Sequence, residues 1–421
     1  MGIQSTKAVA GAKKLTATGP TISLGDLVKI TGANAEKPIG TDLTLDIDPS
    51  TFESATTNWV SICKVNSTKV AIAYSDAGNS NYITCVIATT DGSSFTIGTP
   101  VVIASEVGQY TSVCLTSTDK IAVCYNTGTN GKCAIATISG TTPSFGTAVS
   151  YNSGEAKYNS VIAVDTDKIA VSYEDSGNSS YGTCIVATIS GTTPSFGSEV
   201  VFESATTTYT YIAKLDTDKI AVAYRDEGNS SYGTCIIATI SGTVPSFGSA
   251  VVFNSADSLY ISMVDIDTDK IAIAYRDAGN SYYGSCIVAT VSGTVPSFGT
   301  SVSISSVSSF WISVTKLDTD KIAIAFGDDS ANFDGVALVA TISGTVPTVG
   351  SELIYESGNS DYNAITSIDT TNAIVAYKDV QGSNYGKVVE ISVDFDDTDT
   401  NGVAISGEGT PNRHVAVQEL S

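Results

Sequence analysis

Along most of the chain, apolar runs of five to eight residues alternate with clusters of Gly, Pro, Asp, Asn and Ser. One unit of this pattern reads "YTYIAKL" (Tyr209–Leu215), "KIAVAYR" (Lys219–Arg225), "GTCIIATI" (Gly233–Ile240) and "SAVVF" (Ser249–Phe253). These are four strand-like runs, named a, b, c and d in order. The intervening "DTD", "DEGNSSY" and "SGTVPSFG" hold residues that tolerate turn dihedrals or bond their own backbone. No stretch keeps a helical period. In b, the large Ile220, Val222 and Tyr224 alternate with the small Ala221 and Ala223. A sheet with one wet face would alternate apolar with polar, so both faces of b and c are expected to be covered.

The unit recurs. The segment before its "KIA" begins at Asn66, Ser117, Asp165, Asp216, Asp267, Asp318 and Asp369, a spacing of 51 residues broken once by a step of 48. A fixed period of this size signals a repeat architecture. Four-stranded units repeated radially make a β-propeller, and seven lies within the usual number of blades. A β-helix has far shorter rungs. The seventh unit stops after strand c, "YGKVVEISV" (Tyr385–Val393), while "TDLTLDIDPSTFESA" (Thr41–Ala55) precedes the first strand a. Its "FESA" matches Phe202–Ala205, at the end of a strand d. The fold predicted is therefore all-β: a seven-bladed β-propeller over residues 41–393 closed by an N-terminal strand, which hides two sheet edges. Residues 1–40 and 394–421 remain as flanks.

The net charge of −22 repels phosphate backbones and anionic membrane, so neither nucleic acid nor membrane is an expected partner. No apolar stretch is long enough to span a bilayer. The opening "MGIQSTKAVAGAKK" lacks an apolar core, so no secretory leader is expected; "MGIQST" fits an acylation pattern only formally. Of eight cysteines, Cys85, Cys133, Cys184, Cys235 and Cys286 occupy one place in strand c. Sheets stack about 10 Å apart, beyond disulfide reach, so free thiols are expected, with a Cys124–Cys133 bridge as the alternative.

Few residues suggest chemistry. The single histidine, His414, lies in the C-terminal flank, so the propeller cannot build a histidine-dependent nucleophilic site. No zinc, P-loop or dinucleotide motif occurs. Neither do the WD40, kelch or sialidase repeat signatures. Acidic hairpins recur with Asp76, Glu174 and Asp175, Asp226 and Glu227, Asp277, and Asp379. A turn role is weighed against calcium or polar-ligand contact and against a catalytic carboxylate pair. Regular recurrence favours the turn. No cofactor is expected, with calcium kept open. Each unit also carries one aromatic where strand a begins: Trp59, Tyr110, Tyr158, Tyr209, Tyr260, Trp311 and Tyr362, with Tyr211 and Phe310 beside two of them. They either plug the axis or form an aromatic mouth that stacks on sugars or anchors a protein. Strand direction puts the d–a and b–c loops, and hence these aromatics and acidic hairpins, on one face. The "TDK" lysines, the "PSFG" loops and both flanks fall on the other.

The flanks contain "ISLGDLVKITG" (Ile22–Gly32) and "NGVAISGEGTPNRHVAVQEL" (Asn401–Leu420). "GDLVKI" and "GVAIS…G…HVAVQ" resemble small β modules of tailed-bacteriophage virion proteins of the head-decoration and fibre type. The propeller repeat resembles repeats of phage structural proteins. This resemblance implies a non-enzymatic virion component. Its flanks would form one β module docked to other virion proteins, and the propeller would be displayed toward a host-surface glycan or protein. Self-association into a homo-oligomer is left open. The alternatives are a propeller glycosidase or lyase acting on surface polysaccharide, and a non-viral extracellular adhesin.

Overall fold

The computed structural model describes residues 27–31, 34–36, 42–329, 332–394, 402–406 and 416–419; His414 lies outside them. The fold is all-β and propeller-like, with single 3-10 turns in four hairpins. The chain divides into two compact units, Leu43–Ser392 and the paired ends Met1–Asp42 and Val393–Ser421.

In the larger unit each repeat is an antiparallel sheet. In the fourth, the second half of Val200–Asp216 is strand a, Lys219–Asp226 is b and Tyr232–Ser241 is c. Two expectations are corrected at the outer edge. The "SGTVPSFG" break contains a strand, Val244–Phe247, which pairs with one end of c, while Val251 onward pairs with the other end. Pro245 is tolerated because an edge strand leaves its outward positions without ladder partners. Nor is there a d–a loop at three junctions: Val200–Asp216, Val251–Asp267 and Val302–Asp318 run unbroken from one repeat into the next. In the seventh repeat, Ser360–Ser367, Asn372–Asp379 and Tyr385–Asp394 are followed outward by Asp42–Glu53 from the start of the chain.

The cores lie between sheets. Ile271, Ile273 and Tyr275 of repeat five pack on Ala221, Ala223 and Cys235 of repeat four. Ile62, Ile72 and Tyr74 of repeat one pack on Ala364, Ile374 and Val388 of repeat seven in the same way. Between repeats four and five, large side chains of one sheet fill the space left by alanines of the next, and at both interfaces the facing sides are covered. Among the described residues all eight cysteines are free and seven are buried; Cys124 faces Cys133 across strands b and c without a disulfide. Burial pushes the Cys85, Cys184 and Cys286 thiols up to about 12.

Inner strands of neighbouring repeats share no ladder, so side chains join them. The backbone N–H groups of Val113, Val161, Ile212, Val314 and Ile365 donate to Ser61, Ser112, Ser160, Ser262 and Ser313 at 3.0–3.2 Å. This serine stands two residues after the ring aromatic in each case.

In the smaller unit, Leu27–Thr31 pairs antiparallel with both Asn34–Glu36 and Gly402–Ser406, and the latter pairs with Ala416–Glu419. Segments of the two flanks thus share one four-stranded sheet.

Candidate functional site

The geometry of the aromatic series follows from a bulge. In every inner strand the pairing with b slips by one residue at the aromatic, for example between Asn58 and Ser61 or between Thr208 and Tyr211. All seven aromatics take positive φ, from 48° at Tyr260 to 53° at Trp59. That conformation is normally a glycine's in such a bulge. For a bulky side chain it is a real departure.

The result is a ring of rings. Successive centroids are 4.1 Å apart for Trp59–Tyr110, 5.0 Å for Tyr110–Tyr158, 4.9 Å for Tyr158–Tyr209 and 5.3 Å for Tyr209–Tyr260. The series continues at 5.1 Å for Tyr260–Trp311, 4.2 Å for Trp311–Tyr362 and 5.2 Å from Tyr362 back to Trp59. Interplanar angles of 40–60° are tilted packing, a favourable arrangement for aromatic quadrupoles. All seven are half-buried. Each ring packs on a neighbour at either side. Burial raises the hydroxyls of Tyr110 and Tyr362 to about 12, so they are neutral donors. Trp311 Nε1 donates to Asp361 at 3.1 Å. The next residues along the same strands, Ser61, Ser112, Ser160 and Ser262 among them, line a cavity of about 200 Å³.

The acidic hairpins stand at the same end of the sheets, since Thr57 pairs with Asp76 and Thr207 with Asp226. Their oxygens are engaged locally. Asp76 accepts from the Asn79 N–H at 3.2 Å, Asp175 from Gly177 at 3.0 Å, Asp226 from Asn229 at 3.2 Å and Asp277 from Gly279 at 2.9 Å. Asp379 accepts from Gly382 at 2.6 Å. Each carboxylate thus caps its own turn. Among the described residues no three His, Cys, Asp or Glu side chains gather closely enough to hold a metal ion.

The repeats differ most at a cross-strand pair bordering the ring. Going round, the pairs are Asn58–Ser75, Gln109–Asn126, Lys157–Glu174, Thr208–Arg225, Leu259–Arg276, Phe310–Gly327 and Asp361–Lys378. Burial raises Glu174 and Asp361 above the usual carboxylate range. Repeats five and six add exposed aromatics, Tyr282 at 46% and Phe333 at 42%. Phe310 lies 6.1 Å from Phe333 and 5.9 Å from Tyr260, centroid to centroid. Sequence reasoning missed Arg276, Tyr282 and Phe333. The signal lay in the departures from the repeat at those positions.

No protein-family model matches the chain, and no curated protein matches it either. Among solved structures, a protein of unknown function from Dyadobacter fermentans is similar with a TM-score of 0.52 at 12% identity, over 84% of this chain and 99% of that one. AofleA from Arthrobotrys oligospora reaches 0.47 at 11% identity, over 76% and 91%. The SapL1 lectin, solved with alpha methyl fucoside, reaches 0.44 at 13% identity, over 72% and 98%. The first likeness is one of fold alone, and the two weaker ones assign no ligand to this chain.

Proposed function

We propose that the chain is a non-enzymatic glycan-binding protein. In this reading it is a seven-bladed propeller, closed by its N-terminal strand, that presents the aromatic end of its ring to a carbohydrate. It is carried on a tailed-phage particle through the sheet its flanks form.

The observation that carries the binding reading is the variable pair around the ring. Exposure alone does not account for it, because the exposed "DTD" turns at the other end of the sheets are kept from repeat three to repeat six. Variation is concentrated where strained aromatics gather, and backbone strain of this kind clusters at binding sites. The seven ring aromatics pack on one another and are half-buried, so the stacking surface is offered by Tyr282 and Phe333, which are open to solvent. Support for the closed ring comes from the N-terminal strand. Phe52 abuts Gly386, where an added Cβ would lie 2.4 Å from the ring, as Phe253 abuts Gly233 at 2.4 Å. The flank resemblance and the shared flank sheet support the docking role.

Binding of the full chain to immobilised oligosaccharides tests the proposal. Saturable binding without shortening of the glycan is expected. A Tyr282→Ala, Phe333→Ala double variant, folded by circular dichroism, should weaken it about thirtyfold, since stacking contacts of this size are worth roughly 1 kcal/mol each. Absence of binding to any glycan overturns the reading, and release of shortened oligosaccharides replaces it with the glycosidase or lyase. Mass spectrometry of purified particles tests the virion role. Failure to find the chain there sinks that part alone.

A further inference from the structure

Arg225 and Arg276 are the same residue of successive repeats, yet their surroundings differ. Arg225 Nε donates to Asp257 Oδ1 at 2.6 Å, its Nη2 reaches Asp257 Oδ2 at 3.4 Å, and Nη1 bonds Glu227. One repeat later, Ser308 stands in place of Asp257 and Ala278 in place of Glu227. Arg276 therefore has no ion pair among the described residues. Its Nη2 donates to the Ser308 hydroxyl at 2.8 Å, and its Nε is buried with no acceptor. The guanidinium carbon is held 4.6 Å from the Tyr282 ring centroid and 4.1 Å from that of Phe310.

In a chain with twice as many acidic as basic residues, Arg276 stands, among the described residues, without a carboxylate and against two rings. A buried donor without an acceptor costs stability, and no carboxylate of the described residues balances the charge beside it. We infer that Arg276 anchors a carboxylate of the bound glycan, which makes the ligand a polysaccharide containing an acidic sugar. This rests on the glycan reading above and adds the chemistry of its recognition. The rings of Tyr282 and Phe310 lie against the guanidinium, and with Nε buried the Nη1–Nη2 side is the one a ligand can approach. A carboxylate is planar and meets a guanidinium edge with two parallel hydrogen bonds. Neighbouring groups suit the rest of a sugar. Tyr282 and Phe333 offer apolar surface, and Asn280 and Ser303, bonded to each other at 2.7 Å, offer exchangeable partners for hydroxyls.

The test measures binding, by calorimetry on the full chain, of a uronic-acid oligosaccharide and of its carboxyl-reduced counterpart with the same length and linkage. The acidic form should bind at least about tenfold more tightly, the usual worth of a charge-assisted pair. Arg276→Gln should abolish that preference. Arg276→Lys keeps the charge without the planar fork and should recover only part of it. If Arg276→Gln proves unfolded by near-ultraviolet circular dichroism, the Lys variant decides, and full affinity in it overturns the inference. Equal binding of both oligosaccharides overturns the acidic-sugar inference and leaves glycan binding standing. So does an acid preference that survives loss of Arg276. Failure to bind either one, together with every other glycan, removes the glycan reading and this inference with it. An acidic peptide that binds in place of any sugar has the same effect.

Discussion

Seven aromatic residues are held near a φ of +50°, where an L-residue is disfavoured by roughly 1–2 kcal/mol. The ring contacts must offset that cost, since each side chain packs on two neighbours. The two terms can be separated at one position. Tyr209→Ala loses the contacts and keeps the backbone cost, whereas Tyr209→Gly loses the contacts and relieves the cost. The Gly variant is therefore expected to be the more stable by about 1 kcal/mol, measured by urea unfolding. If Ala is equal or better, the positive φ is not a source of strain. The same scale explains Arg276. Its identity matches Arg225, but its partners come from a position 32 residues onward, so the difference between the two lies in Asp257 and Ser308.

At the scale of the strand, the N-terminal segment Asp42–Glu53 occupies the outer place of the last sheet. Phe52 packs against Tyr74 of repeat one at 5.2 Å, as Phe202 packs against Tyr224 at 5.1 Å. Both phenylalanines are buried. If the borrowed strand is as integral as a native one, Phe52→Ala and Phe202→Ala should cost similar amounts, about 3–5 kcal/mol each. Thermal or urea unfolding of the two variants compares them directly. A neutral Phe52→Ala beside a destabilising Phe202→Ala would show that the strand adds little. A second inter-sheet device, hydrogen bonds from b-strand tyrosines to glutamates, also recurs. Tyr74 donates to Glu53 at 3.0 Å, Tyr224 to Glu203 at 3.2 Å and Tyr377 to Glu356 at 2.7 Å.

For the whole molecule, charge sets the response to pH. Burial raises Glu174, Asp265, Asp361 and Glu356 above ordinary carboxylate values. A folded-state value above the unfolded one means that the folded chain binds more protons as pH falls. The stabilisation is then fully present below the unfolded value and is lost as pH rises through the folded one. Protonation also relieves the self-repulsion of a net charge of −22. The melting temperature should accordingly rise by a few °C between pH 7.5 and pH 5. A fall over that interval would mean that carboxylates stabilised by their partners outweigh the buried ones. By itself the sequence determined the period, the strand-forming runs, the two covered sheet faces and the turn-capping aspartates, because these depend on near neighbours along the chain. It also marked out the seven aromatics as a series. Only the tertiary structure decided that their rings pack on one another in a closed series, that "PSF" is an edge strand, and that Arg276 lacks the acid Arg225 has. Those outcomes depend on which residues of adjacent repeats come face to face, and contact across sheets is set by packing rather than by spacing along the chain.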